Sequence, residues 1–363
     1  MSRSPLTTAP DPTDTDHSLI VRQFFALVDL LTRRGFLAGS AALALSACGT
    51  DEPEPTARSS AATRVVDTSQ GAVRVPADPR RVVCLDYFTA IFLMELGLTA
   101  VGGIDYSFVD RATMYPAYVK SLKAIPSIGR ITATNSEKVA QLHPDLILGP
   151  TPGSRYDNSK GAMARLADVA PVASVDFGQG GDWRDPFAQT AAIVNRTARL
   201  DTVKQGYEER VRTLRADRGP LLDRLVVSVV DFAQDGQVAL ALPRSGNGVV
   251  LRDLGLTYGR ASRDNGTNTR MLSFERVGDL ADSDLILFRA DAHGRPANGL
   301  DAVVELAGWK QLPAVRLGHV YPMGWADLCT YRWGELAIGE VGEALDDYSK
   351  GAGSATESAT SRG

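Results

Sequence analysis

The sequence predicts an α/β protein of two lobes, each built on a parallel sheet, joined by one long helix. Three observations carry this. Short β-branched runs alternate with helical patterns in two separate sets, one continuous helical pattern over 186–218 stands between the sets, and a helix-to-strand unit recurs once on either side of it. Strands that alternate with helices call for a parallel sheet covered on both faces.

Taken in order, residues 1–47 read as an export signal. A polar head is followed by the twin arginines Arg33 and Arg34, a Gly/Ala/Leu run, and Leu45-Ser46-Ala47 before Cys48. The apolar run is too short to cross a hydrocarbon core of roughly 30 Å, and small residues before a cysteine mark a cleaved lipoprotein signal. Cys48 is therefore the expected lipidation site, and two acyl chains hold a protein at a membrane where one does not. Residues 48–63 carry Asp, Glu, Pro, Thr, Ser and Ala with no large apolar side chain, the composition of a flexible leash.

About 315 residues remain, too many for one ordinary core and suited to two lobes. The first lobe is placed at 64–185. Arg81 to Leu85 reads as a buried strand, Thr89 to Leu96 as a helix stopped by Gly97, and Leu146 to Leu148 and Pro171 to Ala173 as further strands. Over 186–218, Phe187, Ala191, Val194, Ala198, Val203, Tyr207, Val211 and Leu214 recur at helical spacing, with Pro186 in the first turn and Gly219-Pro220 as the stop. Such a helix is roughly 50 Å long. The alternative is two helices broken near Thr197 to Thr202. The second lobe, 219–349, holds strands at Leu225 to Val230, Val238 to Leu242 and Leu285 to Phe288, and 350–363 reads as a disordered tail rich in Gly, Ser, Ala and Thr.

The repeat matches Glu137, Val139, Leu142 and Asp145-Leu-Ile-Leu148 with Glu275, Val277, Leu280 and Asp284-Leu-Ile-Leu287. Each copy is a short helix feeding a buried strand, and the helix-to-strand spacing differs by one residue. A net charge of −4 with both signs interspersed leaves no basic stripe for nucleic acid. Of the three cysteines, Cys48 is assigned to lipid. Cys84 and Cys329 are then either two buried free thiols, the reading their small-hydrophobe character favours, or a pair joined in an oxidising space.

From Pro76 to about Asp346 the chain resembles the class III substrate-binding proteins of ABC importers for ferric siderophores, haem and cobalamin. The resemblance is carried by Pro76-Ala-Asp-Pro-Arg-Arg-Val-Val83, Glu95-Leu-Gly97, Val101-Gly-Gly103, both glutamate repeats, and Trp309, Leu312, Ala314-Val315, Gly318-His-Val-Tyr321 and Trp325. It implies two Rossmann-like lobes on one long helix that enclose a shallow cleft and move little. It also implies that Glu137 and Glu275, one per lobe, dock into arginines of the permease dimer, and that the protein is a monomer with no cofactor, a ferric siderophore being its ligand.

Ligands of open α/β sheets sit beyond the carboxyl ends of the strands. The loops after Leu85, Leu148, Leu242 and Phe288 hold Tyr87 and Phe88, Arg155 and Tyr156, Arg244, and Arg289, while Trp325 and Tyr331 come from the closing segment. Arginines and rings together suit a flat metal chelate, because guanidinium donors meet chelating oxygens and rings cover the apolar skeleton. Arg111 and Arg130 are further candidates. The plainer roles are Tyr87 and Phe88 as core residues opening a helix, a pairing of Arg289 with Asp291, and Tyr331 and Trp333 as parts of the last helix. Haem or cobalamin is the alternative ligand within the family, and haem would need an axial His or Tyr, for which His293 is the candidate among His143, His293 and His319. A surface-tethered hydrolase finds no support: Arg244-Ser245-Gly246-Asn247-Gly248 is not a nucleophile elbow, and no close His/Cys/Asp/Glu spacing suggests a metal centre. The protein is expected not to be an enzyme.

Overall fold

The computed structural model describes residues 62–107, 109, 114, 116–130, 132–153, 161–178, 181–291, 293–324 and 330–360, with the backbone alone at 116, 162 and 351–360. The export signal, Cys48, the leash, Arg111, Arg155, Tyr156, Trp325 and Cys329 lie outside the described residues. Among those described, no helix is long and apolar enough to cross a membrane.

The body opens on an antiparallel hairpin, Thr63–Thr68 with Gly71–Pro76. Arg64 fastens this hairpin to the helix Arg184–Ile193, its guanidinium donating to the carbonyls of Ala192 (2.7 Å) and Ile193 at the helix end. A cation on the last carbonyls of a helix satisfies groups that have no partner within it.

The first sheet is wholly parallel, in the order Gly102–Gly103, Val82–Cys84, Leu146–Pro150, Val172–Val175. Its inner strands are buried along their whole length, as the unbroken apolar runs require. Glycine at 102 and 103 is a packing demand, since a Cβ would collide with the Leu142 side chain at one position and the Tyr106 ring at the other.

The second sheet departs from the expected repeat. Its order is Thr269–Ser273, Gln237–Ala241, Val226–Gln234, Leu285–Arg289, Val320–Met323, with Thr257–Tyr258 also on the Val226 strand. Val226–Gln234, Leu285–Arg289 and Val320–Met323 are parallel, but Gln237–Ala241 runs antiparallel to its neighbour. The cause is Asp235-Gly236, both at positive φ (51° and 73°), which turns the chain straight back as a two-residue hairpin. The second set is thus a mixed sheet, and no helix separates its first two strands.

The interlobe helix is also interrupted. Arg184–Ile193 and Thr197–Leu222 are separate helices, broken at Asn195 in the left-handed region (φ 56°), a few residues before the break anticipated as the alternative. The second of them continues through Gly219-Pro220, because a proline in the last turn forfeits only one bond and the Asp223 N–H still reaches the Gly219 carbonyl at 2.9 Å. Along it lies the last helix, Tyr331–Thr360. A Cβ on Gly334 would sit 2.7 Å from the Tyr207 ring, so the close approach of the two helices depends on that glycine. The last helix extends to Thr360, where the composition predicts disorder from Lys350, because a packed helix elongates without paying again for nucleation.

The glutamate repeat is structural. In the first copy the Asp145 carboxylate accepts the backbone N–H groups of Arg80 (2.8 Å) and Arg81 (2.9 Å), fixing the start of the strand next door. In the second, Asp284 accepts the Val226 N–H at 2.9 Å and does the same for its neighbour. Val139 and Val277, two residues after each glutamate, are buried in their lobes, with Val83, Ile128 and Ile147 in one core and Leu240, Ile286 and Trp309 in the other.

Candidate ligand-binding site

At the carboxyl end of the first sheet, Asp86 caps a helix over Tyr87–Glu95. Its carboxylate accepts the Thr89 N–H (2.8 Å) and hydroxyl (2.7 Å), which starts the helix immediately beyond the strand. Burial pushes the Asp86 carboxyl up to about 6 against the pull of those bonds. The cap leaves Tyr87 and Phe88 half-buried in the first turn, their ring centroids 4.0 Å apart, at the place where a ligand of such a sheet would lie. Phe177, two residues past the strand Val172–Val175, comes within 5.4 Å of Phe88. Sequence reasoning missed Phe177, although its position just past a buried strand is the signal that singled out Tyr87 and Phe88.

In the second lobe Arg289 ends its strand beside Asp231 of the parallel neighbour, and the two form an ion pair at 3.3 Å. The alternative pairing of Arg289 with Asp291 does not form, since the Asp291 carboxylate accepts from Arg295 and from the His293 N–H. Arg244 does not join Arg289. It comes after the antiparallel strand and so leaves the sheet at the opposite end from Arg289, pairs with Asp264 at 3.1 Å, and through its carbonyl takes the Gly181 N–H of the first lobe at 2.9 Å.

Tyr331 is buried at the junction between the lobes, in contact with Trp183 (4.8 Å, edge-on), Tyr207 (5.6 Å) and Phe187 (5.8 Å). Burial pushes its hydroxyl up to about 12. Polar links surround the cluster: the Tyr207 hydroxyl donates to Asp253 at 2.7 Å, and Arg184 bridges Asp253 and Asp182. Tyr331 is thus a junction residue of the last helix, the plainer of the roles open to it. Trp333 is wholly buried against Tyr118. Beside it the Glu95 carboxylate, buried in the first lobe, accepts from the hydroxyls of Tyr118 and Thr330 (2.6 Å) and from the Arg332 N–H, and burial pushes it up to about 7.

Glu137 and Glu275 are both exposed, and each is the second residue after a helix cap, Asn135 in one copy and Ser273 in the other. The Glu275 carboxyl is held below its ordinary range by its own backbone N–H and by the Ser273 hydroxyl. Negative charge in a first turn is favoured by the helix dipole. Arg130 is exposed on a two-residue strand next to the Asp105 loop. Of the histidines, His143 holds a positive φ of 45° on its turn, His319 packs on Tyr348 at 4.3 Å, and His293 is exposed. No group of three or more His, Cys, Asp or Glu side chains among the described residues is arranged to hold a metal ion, and the buried Cys84 is a free thiol.

Comparison with known proteins places this geometry. A family model described as periplasmic binding protein matches residues 82–324. The chain is 27% identical over 293 residues to a probable siderophore-binding lipoprotein of Bacillus subtilis, YfiY, covering 77% of this chain and 86% of that one. It is 26% identical over 292 residues to the iron(3+)-hydroxamate-binding protein FhuD of the same organism, with the same coverage. Among solved structures, the siderophore periplasmic binding protein from the fuscachelin gene cluster of Thermobifida fusca superposes with a TM-score of 0.64 at 27% identity, over 75% of this chain and 98% of that one.

Proposed function

Because the chain belongs to the periplasmic binding protein family and has its class III fold, we propose that it is an extracytoplasmic lipoprotein that captures a ferric siderophore between its lobes and hands it to an ABC permease dimer. In this reading Cys48 carries the lipid after twin-arginine export and cleavage, the protein works as a monomer at the outer face of the cytoplasmic membrane, and it performs no chemistry on its ligand. Iron arrives already chelated, so the binding face needs rings and polar groups rather than metal ligands.

The observation that carries the reading is the doubled unit of an exposed glutamate at the second helix position, one on each lobe, on scaffolds pinned by Asp145 and Asp284. Two carboxylates held at fixed separation suit registration on a two-fold partner bearing two cationic pockets. Tyr87 and Phe88 face the ligand in the first lobe, Arg289 does so in the second, and Arg155, Tyr156 and Trp325 complete the contacts.

A fluorescence titration tests this. Trp183, Trp309 and Trp333 are buried, so a ferric siderophore seated on Trp325 should quench a saturable fraction of the emission with one-to-one stoichiometry, and Trp325→Phe should remove most of it. Saturable binding of haem with no response to any ferric siderophore would reverse the assignment and direct attention to His293 and the tyrosines.

A further inference from the structure

The place where the chain enters the body bears on delivery, an inference that rests on the carrier function proposed above with Cys48 as its lipid anchor. The hairpin Thr63–Thr68 with Gly71–Pro76 lies along the first sheet. Its turn is at the carboxyl ends of the strands, where the Ser69 hydroxyl is 2.6 Å from that of Thr151 and 3.3 Å from that of Ser174. Its open end is at the amino ends. There the Ala77 N–H donates to the Ala62 carbonyl at 2.7 Å, Asn195 donates to the Ala77 carbonyl at 2.8 Å, and Asp78 pairs with Arg196 at 2.8 Å. The Arg80 and Arg81 N–H groups held by Asp145 follow at once, at the start of the strand Val82–Cys84. The chain thus enters the body through Ala62 at the amino ends of this sheet.

The described residues assigned to ligand and permease lie at the other ends of the strands. Tyr87 and Phe88 follow the strand Val82–Cys84, and Arg289 ends its own. Glu137 stands two residues past Asn135, whose N–H reaches the Ile128 carbonyl at 2.8 Å, and the Ile128 N–H in turn reaches the carbonyl of Gly103, the last residue of its strand, at 2.9 Å. In the second lobe Thr269–Ser273 and Val226–Gln234 are both antiparallel to Gln237–Ala241 and so run the same way. Glu275, two residues past Ser273, therefore also stands at the carboxyl ends, where the Phe274 N–H reaches the Gly236 carbonyl at 2.9 Å.

A permease sits in the membrane, so a carrier that docks by Glu137 and Glu275 turns these ends toward the lipid and its entry point at Ala62 away from it. The anchor must then reach back past the body. Each six-residue strand of the hairpin is about 20 Å long, and the 14 residue steps from Cys48 to Ala62 span at most about 50 Å. That length passes the hairpin with roughly 30 Å to spare for the rest of the body and the gap to the lipid. A tether that cannot span its two sites gives an effective concentration near zero, whereas excess length lowers it only slowly. We infer that the length of 48–62 is a determinant of delivery: the segment carries the lipid anchor from the amino ends of the first sheet past the body to the docked side, and a shorter segment leaves ligand capture intact while preventing docking.

The test deletes residues 51–59, which leaves five residue steps between Cys48 and Ala62, a reach of about 17 Å that falls short of the hairpin. In cells that depend on this carrier, uptake of radiolabelled iron supplied as ferrichrome, ferric desferrioxamine B or ferric enterobactin should fall at least about tenfold. The deletion variant should keep wild-type acylation and, once purified, wild-type affinity for whichever complex the protein binds, which shows that the body is folded. Nine Gly and Ser residues in place of 51–59 should restore uptake. Wild-type uptake by an acylated deletion variant would overturn the inference, and so would failure of the Gly/Ser replacement to restore it, because length would then not be what the segment supplies. Wild-type protein that is not acylated, or that binds none of the three complexes, would instead overturn the carrier reading on which it rests.

Discussion

The two lobes share a scaffold and differ at their binding faces. In both, an exposed glutamate stands second in a short helix, an α-helix capped by the Asn135 side chain in the first lobe and a 3-10 helix in the second, a valine two residues on is buried, and an aspartate at the next strand pins the start of the adjacent parallel strand. At the carboxyl ends the likeness stops. The first sheet is all parallel and opens on rings, whereas the second is mixed, turned back by Asp235-Gly236, and opens on the Arg289–Asp231 ion pair. Under the proposed function, the difference teaches that the units assigned to docking repeat between the lobes while the ends assigned to ligand do not. That is the division expected of a carrier whose partner is symmetric and whose ligand is not.

The junction supplies the sharpest way to break this division, because Tyr331 was expected in the binding face and packs between the lobes. Tyr331→Ala should cost about 3–5 kcal/mol in a urea titration through the cavity it leaves. Tyr331→Phe should stay within about 1 kcal/mol and leave siderophore affinity unchanged. A binding defect in the phenylalanine variant at full stability would return Tyr331 to the ligand.

Glu95 tests the junction from the first-lobe side. Its folded pKa, about 7, lies above its ordinary value, so the folded protein holds the proton more tightly than the unfolded chain. Stability from this group is therefore full below about pH 4.5 and is lost as pH rises towards 7, on the order of 3 kcal/mol across the window. Asp86 and Glu340, also raised by burial, act in the same direction. Chemical denaturation across this range should show the fall, and Glu95→Gln should flatten much of it. An equal slope in the variant would assign the effect to the other two carboxyls.

A smaller effect separates the two copies of the repeat. Asp145 takes two backbone N–H groups and Asp284 takes one. Asp145→Ala should then cost about 2 kcal/mol and Asp284→Ala about 1, at about 1 kcal/mol for each hydrogen bond at these exposed positions. Equal losses would mean that the clamps are not what holds the strand starts.

Much of this architecture was legible in the residues. Buried strands announced themselves as apolar runs, Gly97 stopped its helix as expected, and the repeat located both glutamates. What escaped depended on single backbone conformations or on distant partners. Asn195 breaks a helical pattern whose apolar spacing continues across it, and Asp235-Gly236 reverses a strand whose composition suits either direction. The burial of Tyr331 needs Trp183 and Tyr207, and Arg289 pairs with Asp231, all far away along the chain. A side chain's type can be read locally, but what neutralises or covers it is settled by the fold.

The central claim, that docking and binding are carried by separate surfaces, is tested most directly by Glu137→Ala combined with Glu275→Ala, with affinity measured on the purified protein and iron uptake measured in cells that depend on it. Both carboxylates are exposed on the repeated units proposed to dock on the permease, so the double variant should bind ferric siderophore with wild-type affinity and support no uptake. A large loss of affinity in the purified double variant, or uptake at the wild-type rate, would contradict the account.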